Sequence, residues 1–180
     1  MRPWKLEELS DYLAIRTDPE IGTHIPGHPL TIEAATEMHS KALSRTAIGT
    51  SGDALSLALE RADDSVLVGT VGLFWRSEEH RQAEIGYILL PAYFGHGYAT
   101  EAAARLVELA FLELGAHRVF AELDARNAPS ERVCRRLGMR LEGVHREKVL
   151  DGESWTDLAI YALLEREWRS CSPAGGPAPG

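Results

Sequence analysis

A glycine-rich string, FGHGYATEAAARL, has the residue types and spacing to bind an anion. Glycines between a strand and a helix let the chain turn tightly, and the first N–H groups of the helix lie at the positive end of its dipole. Phosphate groups bind at such helix starts. The string therefore predicts a candidate anion site formed by Gly95, His96, Gly97, Tyr98, Ala99 and Thr100. A tight strand-to-helix connection that binds nothing is the alternative.

The string differs from two common phosphate-binding motifs. A Walker loop needs Gly-x-x-x-x-Gly-Lys followed by Ser or Thr, and the sequence contains no such string. A dinucleotide fingerprint fits Gly95 and Gly97 but has Thr100 in the place of its third glycine. Asp124 could imitate the ribose-binding acid, so a dinucleotide-dependent oxidoreductase stays open as a less favoured alternative.

Glu84 is the candidate general base. It interrupts the apolar run AEIGYILL, where a carboxylate must face a cleft or a partner. Burial would raise its pKa towards values useful for catalysis. A strand glutamate that faces solvent or pairs with an arginine is one alternative, and catalysis through a water or without a dedicated base is another.

These residues need elements to position them. Residues 5–16 predict a helix with Leu6, Leu9 and Leu13 on one face, and Thr31 caps a second helix. The runs ALSLALE, VLVGTVGLFWR and QAEIGYILL follow, joined by short polar turns, and predict an antiparallel meander of three strands.

A long helix after the glycine string is the clearest element. Its apolar stripe, which Gly115 ends, consists of Ala103, Leu106, Val107, Ala110, Phe111 and Leu114. A strand (HRVFAELD), a short helix (APSERVCRRLG) and two strands joined through Asp151 and Gly152 complete the order. The pattern predicts an α/β (α+β) fold with a mixed, mostly antiparallel sheet and the central helix packed across it.

The segment YILLPAYFGHGYATEA resembles the coenzyme A-binding segment of the GNAT superfamily of amine N-acyltransferases. Gly97 and Ala99 match its glycine pattern, and Phe94 at the Gln/Arg place is similar to the branch of the ribosomal-protein N-terminal acetyltransferases. The resemblance continues through HRVFAELDARNAPS, RRLGMRLEG and DGESWTDLAIYALL, almost to Trp168. It implies a twisted sheet with a splayed central strand and helices on both faces.

The resemblance also implies a reaction: direct attack of a primary amine on acetyl-CoA in a ternary complex, without a covalent enzyme intermediate. The acceptor is a protein N-terminus or a small amine, and a succinyl or other acyl donor stays open. The backbone of Ile88, Leu89 and Leu90 would hold the pantetheine arm, with the Leu89 N–H on the thioester carbonyl. A non-catalytic acyl-CoA sensor is the alternative.

The string NAPS matches the Asn-x-x-Ser of this branch. The resemblance places Asn127 on the pantetheine arm and Ser130 near the sulfur, although Asn127 could instead cap the short helix, with Ser130 in its first turn. Many relatives have a tyrosine, the acid for the thiolate, four residues after the serine, where this chain has Cys134. A thiol could serve as that acid, because its ordinary pKa is about 8.5. A small core residue is the alternative for Cys134.

Composition limits the partners. The formal net charge of −8 argues against nucleic-acid binding. No apolar run approaches membrane-spanning length, and the two cysteines suit a reducing compartment, so we expect a cytoplasmic protein that binds no membrane. A homodimer is common in the branch and is the predicted assembly. We expect one domain over residues 1–169 and a disordered, Pro/Gly-rich tail over 170–180.

No metal site is predicted. His24 and His28 are four residues apart, but Pro26 and Gly27 between them exclude a shared helical turn, and no acid or cysteine cluster joins them. The resemblance implies that both histidines line the acceptor entrance together with Trp75. Ordinary loop residues are the alternative.

Overall fold

The computed structural model describes residues 1–19, 21, 24–25, 29–45 and 47–171. Its strands are β1 (Arg2–Pro3), β2 (Ala54–Glu60), β3 (Leu67–Ser77), β4 (Gln82–Leu89), β5 (Arg118–Asp124), β6 (Arg140–Asp151) and β7 (Ser154–Leu164). Its α-helices are α1 (Leu9–Thr17), α2 (Ile32–Ser44), α3 (Tyr98–Leu112), α4 (Ala128–Arg136) and α5 (Glu165–Cys171). Short 3-10 turns cover Leu6–Glu8 and Pro91–Tyr93.

The strands form one sheet in the order β1-β2-β3-β4-β5-β7-β6. Every neighbouring pair is antiparallel except β4 and β5. These two are parallel because α3 carries the chain back across the sheet between them. The predicted mixed, mostly antiparallel fold is confirmed, and the predicted element order holds, with β1 and α5 added to it.

Helices cover both faces of the sheet. The α3 stripe is buried at five of its six predicted positions and half-buried at Leu114, and it packs on side chains such as Leu73, Ile85 and Ala121. On the opposite face, Tyr12 and Ile15 of α1 pack with Ile88 of β4. We call this second side, where the resemblance leads us to expect the amine acceptor, the acceptor face.

The first helix corrects the sequence prediction. Its α-helical part begins at Leu9, and its fully buried side chains are Tyr12 and Ile15. Leu6 is 75% exposed and lies in the preceding 3-10 turn. The predicted Leu6, Leu9 and Leu13 stripe is therefore wrong, because the change of helix type at Glu8 shifts which positions face the sheet.

Strand β4 has two different edges. Along β3 it pairs over its whole length, from Gln82 to Leu89. Along β5 it pairs only from Gln82 to Glu84, opposite Arg118 to Phe120. We call these edges the closed seam and the open seam; beyond Glu84 the open seam is the predicted splay of the central strand.

A glycine fixes the end of the closed seam. A Cβ atom added to Gly69 on β3 would lie 2.2 Å from the carbonyl oxygen of Ile88 and 3.0 Å from the Cα of Leu89. Any side chain there would push the end of β4 away from β3. Gly69 therefore helps set where the backbone of Leu89 lies.

The described residues end inside α5, at Cys171. Ser170 and Cys171, the first two residues of the predicted tail, are helical; residues 172–180 lie outside the described residues, so their disorder and the domain limits stay predictions. No helix in the described part of the chain is both long and apolar enough to cross a lipid bilayer.

Candidate active site

The glycine string forms the start of α3. Gly95 and Gly97 have φ angles of 78° and 87°, a left-handed region that glycine adopts without strain. A Cβ at either position would meet nothing within 4 Å, so the handedness of the turn, and not lack of space, calls for glycine. The first helical hydrogen bond runs from the Glu101 N–H to the Gly97 oxygen over 3.0 Å. The helix N–H groups ahead of Glu101 thus have no intrahelical acceptor, and the turn before them is exposed.

Two side chains fold against this turn. The Nδ1 of His96 lies 2.8 Å from the Phe94 carbonyl oxygen, to which it donates. The His96 and Tyr98 rings are stacked, with centroids 5.8 Å apart. Both rings lie beside the exposed amides, so the turn offers main-chain donors flanked by flat side chains.

A cleft of about 230 Å³ occupies the open seam. It passes through the sheet, since residues of both faces line it. From the sheet and α4 it is lined by Ser56, Thr70, Val71, Gly72, Phe74, Ile85, Gly86, Tyr87, Ile88, Ala121, Glu122, Leu123, Asn127, Ser130 and Cys134. From the acceptor face it is lined by Arg16, His24, Ile25 and Met38. A larger open hollow of about 1010 Å³ lies along α3 and α5, and none of the predicted catalytic residues line it.

The backbone of β4 offers donors to this cleft. The Leu90 N–H donates to the Val68 oxygen over 2.9 Å, on the closed seam. Because strand amides alternate between the two edges, the Ile88 N–H also points to β3, whereas those of Tyr87 and Leu89 point to the open seam. Strand β5 does not pair with these two residues. The Leu89 amide therefore has no partner on β5, and its predicted role towards the thioester stays a prediction, while the amides of Ile88 and Leu90 point to the closed seam.

Glu84 lies on the acceptor face but holds an arginine. The Arg76 Nε donates to its Oε2 over 2.6 Å, and the Arg76 guanidinium lies 4.9 Å from the centre of the Phe74 ring. This matches the arginine-paired alternative, and Glu84 does not line the cleft. Its role as general base stays a prediction.

Glu122 is a carboxylate that the sequence reasoning missed. It lines the cleft, is exposed, and points to the acceptor face because its neighbours Ala121 and Leu123 point into the α3 core. Among the described residues it has no ion pair within 4.0 Å. The polar break in VFAELD was the available signal.

The start of α4 closes the cleft on the side of β5. Asn127 is its N-cap, and its Oδ1 accepts the Ser130 N–H over 3.0 Å. This bond matches the helix-capping alternative from the sequence. It uses the Oδ1 atom, so the side-chain NH₂ group of Asn127 takes no part in it. Ser130 and Cys134 both line the cleft, and burial raises the pKa of the Cys134 thiol to about 12. A thiol that holds its proton so firmly is a poor acid for a departing thiolate.

Asp124 anchors the loop that leads into α4. Its buried carboxylate accepts the Arg126 N–H over 2.8 Å and the Arg126 Nη2 over 2.6 Å. The hydrogen bonds from Arg126 hold the pKa of Asp124 below its usual range. The residue thus has a structural partner on this loop, and it fixes the approach to Asn127.

Tyr87 enters the cleft from β4 and was also missed. Its hydroxyl donates to the Ser130 carbonyl oxygen over 3.5 Å, at the limit of a hydrogen bond. Burial raises the pKa of Tyr87, so the phenol keeps its proton. A hydroxyl inside the apolar run IGYILL was the signal that could have found it.

Two nitrogens of residues that line the cleft from the acceptor face have no hydrogen-bond partner among the described residues. The Arg16 Nε and the His24 Nδ1 are buried and make no hydrogen bond within the described part of the chain. The Arg16 guanidinium lies 5.9 Å from the Tyr12 ring centre, and its Nη2 lies 3.6 Å from the Met38 sulfur. His28 lies outside the described residues. Trp75 is buried in the α3 core, so its predicted place at the acceptor entrance is wrong.

Across the described ranges, no group of three or more His, Cys, Asp or Glu side chains is arranged to hold a metal ion.

Comparisons with known proteins identify the family of the chain. Residues 1–140 match the model of the acetyltransferase (GNAT) domain family. The uncharacterized N-acetyltransferase YnaD of Bacillus subtilis is 33% identical over 164 residues, which cover 89% of this chain and 92% of YnaD. YdaF of the same organism, provisionally named a ribosomal N-acetyltransferase, is 35% identical over 105 residues, 58% of this chain and 57% of YdaF. The spermidine N-acetyltransferase of Vibrio cholerae, solved with CoA and spermine, shares the fold with a TM-score of 0.79 at 20% identity, over 93% of this chain and 95% of that one.

Proposed function

This chain belongs to the GNAT family of acetyl-CoA-dependent N-acetyltransferases, and we propose that its acceptor is an amine with a carbonyl or carboxylate oxygen close by, such as a protein N-terminus or an amino acid. The observation that carries the proposal is the buried Arg16 Nε, which has no hydrogen-bond partner among the described residues. A buried donor without an acceptor is costly, and a ligand oxygen would remove that cost.

The acyl donor fits the open seam. In the proposed complex the amides at the start of α3 hold the pyrophosphate, since they are free and at the positive end of the helix dipole. The pantetheine arm runs beside β4 towards α4. There the Leu89 N–H donates to the thioester oxygen, and this bond strengthens as the oxygen gains charge during attack.

The acceptor enters from the other face. Its amine attacks directly in a ternary complex after losing a proton, because only the neutral amine is nucleophilic. Glu122 lines this route, has no ion pair among the described residues, and can take the proton directly or through water. Glu84 lies on the same face, but its carboxylate is held by Arg76, so it would act as base only after exchanging that partner.

Charge separates the two acceptor classes. A polyamine adds positive charge beside Arg16, which repels it, whereas a peptide N-terminus or amino acid brings an oxygen that Arg16 binds. YdaF points towards a protein N-terminus and the Vibrio cholerae enzyme towards a polyamine. The Arg16 Nε, which has no hydrogen-bond partner among the described residues, favours the first class for this chain.

A thiol-release assay tests the proposal. Purified protein is mixed with acetyl-CoA or succinyl-CoA and a panel of short peptides, their C-terminal amides, amino acids and polyamines. We expect release with acetyl-CoA and a peptide or amino acid, and a loss of at least about tenfold in kcat/KM for Arg16→Met. A best substrate among the polyamines, unaffected by Arg16→Met, would contradict the proposed acceptor.

The same assay separates an enzyme from a sensor. A non-catalytic acyl-CoA sensor would bind acetyl-CoA in calorimetry and release no thiol with any amine. Protection from heat by NAD(P), and not by coenzyme A, would instead favour a dinucleotide enzyme.

A further inference from the structure

A phenylalanine ring fills a hollow on the acceptor face of the sheet. Gly72 on β3 and Gly86 on β4 are partners across the closed seam, so neither position has a side chain on this face. The ring of Phe74 folds back over the hollow: a Cβ atom added to Gly72 would lie 2.9 Å from two ring carbons, and one added to Gly86 would lie 3.8 Å from the ring. All three residues line the cleft. The ring therefore takes up space that would otherwise belong to the cleft.

Neighbouring side chains hold the ring in this position. The Arg76 guanidinium lies over it, 4.9 Å from its centre. The Arg76 Nε in turn donates to the Glu84 Oε2 over 2.6 Å. A guanidinium over an aromatic ring is an attractive contact, and the ring cannot move aside without losing it. Phe74 thus forms a fixed wall of the cleft.

In the proposed complex, the acyl group of the donor points to this wall. The carrier starts at α3, on the opposite face, and passes through the open seam, so its acyl end comes out on the acceptor face. The thioester carbon is planar, with its sulfur beside α4 and its oxygen on the Leu89 amide. Its third substituent, the acyl chain, points away from both, along β4 towards Gly86. The Phe74 ring covers Gly86 on that face.

We infer that Phe74 is a specificity-determining residue that restricts the acyl donor to short chains. This rests on the proposed function, because it requires the carrier to bind in the open seam. An acetyl group ends in a single methyl beside the ring. Each further methylene has to enter space that the ring already fills, and packing too many atoms into one place costs free energy. Phe74 therefore decides which thioester binds, without taking part in the reaction.

Binding of a series of thioesters tests this without any acceptor. Calorimetry gives the dissociation constants of coenzyme A, acetyl-CoA, butyryl-CoA and hexanoyl-CoA. Dividing the value of each thioester by that of free coenzyme A isolates the contribution of the acyl chain. We expect wild type to bind hexanoyl-CoA at least about tenfold more weakly than acetyl-CoA. Phe74→Ala should remove most of this difference, because it empties the hollow.

Phe120 on β5 provides a matched control. Its ring lies on the same face of the sheet, because its neighbours Val119 and Ala121 point into the α3 core. It is also covered by an arginine, since the Arg118 guanidinium lies 4.7 Å from its centre, but Phe120 does not line the cleft. Phe120→Ala removes the same side chain and should leave the preference for short acyl chains unchanged.

Gly72→Ala should change the preference in the opposite direction. The added Cβ would press on the far end of the Phe74 ring and move the ring away from the sheet, into the cleft. We expect a larger preference for acetyl-CoA over butyryl-CoA than in wild type. This variant keeps the test decisive if Phe74→Ala does not fold.

The outcomes are distinct. Equal chain-length preferences in wild type, Phe74→Ala and Gly72→Ala would overturn the role of Phe74 and leave the acetyltransferase activity standing, as would an equal change in Phe120→Ala. Failure of the wild type to bind coenzyme A would remove the proposed function and this inference together. With an acceptor in hand, Phe74→Ala should raise kcat/KM for hexanoyl-CoA at least about tenfold. A change in acceptor preference alone would overturn the inference by assigning the ring to the acceptor.

Discussion

The two edges of β4 differ in what completes them. On the closed seam every residue of the strand faces a residue of β3. On the open seam β5 accompanies it for three residues and then diverges. One strand therefore contributes to stability along one edge and leaves part of its backbone without a strand partner along the other. In the proposed complex, an amide of this strand has a structural role or a catalytic role according to the edge to which it points.

Removal of single amides gives the sharpest contrast. If Leu89 is replaced by its α-hydroxy acid, the main-chain N–H becomes an ester oxygen on the open seam. We expect kcat to fall about 100- to 1000-fold, because the thioester oxygen loses its donor, with little change in melting temperature.

The same replacement at Leu90 is its control. That N–H donates to Val68 on the closed seam. Its loss should reduce the free energy of unfolding by about 1 kcal/mol and alter kcat far less. Equal kinetic effects at the two positions would mean that the edges are not functionally distinct.

Gly69→Ala tests how the closed seam positions the open one. The added Cβ would collide with the Ile88 oxygen. We expect a loss of about 2–3 kcal/mol in the free energy of unfolding and weaker coenzyme A binding, since the collision moves Leu89. Gly143→Ala on β6, where a Cβ meets nothing within 4 Å, should change stability by less than about 0.5 kcal/mol. A Gly69→Ala protein of wild-type stability would refute the close approach.

Low pH should destabilise the loop that leads into α4, which borders the open seam on the side of β5. The pKa of Asp124 is lowered by Arg126, so the pair stabilises the fold fully above the unfolded-state pKa near 3.9 and loses this contribution as pH falls through the lower folded-state value. Asp124→Asn should cost about 1–2 kcal/mol at pH 7 and less below pH 3. Chemical denaturation at both pH values measures this, and an equal cost at the two would argue against the ion pair.

Cys134→Ala should have the smallest effect. Burial raises the pKa of the Cys134 thiol, so the thiol is a poor proton donor to a departing thiolate. We expect kcat to stay within about threefold of wild type, and Ser130→Ala to do the same if that residue serves only the first turn of α4. A loss of 100-fold for Cys134→Ala would return the role of acid to the thiol.

The sequence correctly predicted the helices and strands that show a local periodicity of apolar residues. The α3 stripe, the meander and the hairpin at Asp151 and Gly152 are all present, because burial of one face forces the apolar spacing. The two-residue strand β1 and the helix α5 were not predicted, since neither is long enough to show a periodic pattern. The α1 stripe failed because a 3-10 turn precedes the helix.

The site was predictable only in part. Glycine turns have a local signature, so the start of α3 could be found. The open seam has no such signature, because the sequence of a strand does not show whether a neighbouring strand pairs with it. For that reason the sequence could not show that Arg76 holds Glu84, or that Tyr87 and Glu122 face one cleft.

Because part of the β4 edge has no strand partner, ligand binding there would couple the folding equilibrium to the concentration of the acyl carrier. If the acyl carrier binds along the edge that β5 leaves bare, it acts as a removable strand, and its concentration enters the unfolding equilibrium. A hundredfold excess over the dissociation constant would add about 2.7 kcal/mol. Scarcity of the thioester would then not only slow turnover but also shorten the lifetime of the protein itself, so that its abundance would follow the metabolite pool.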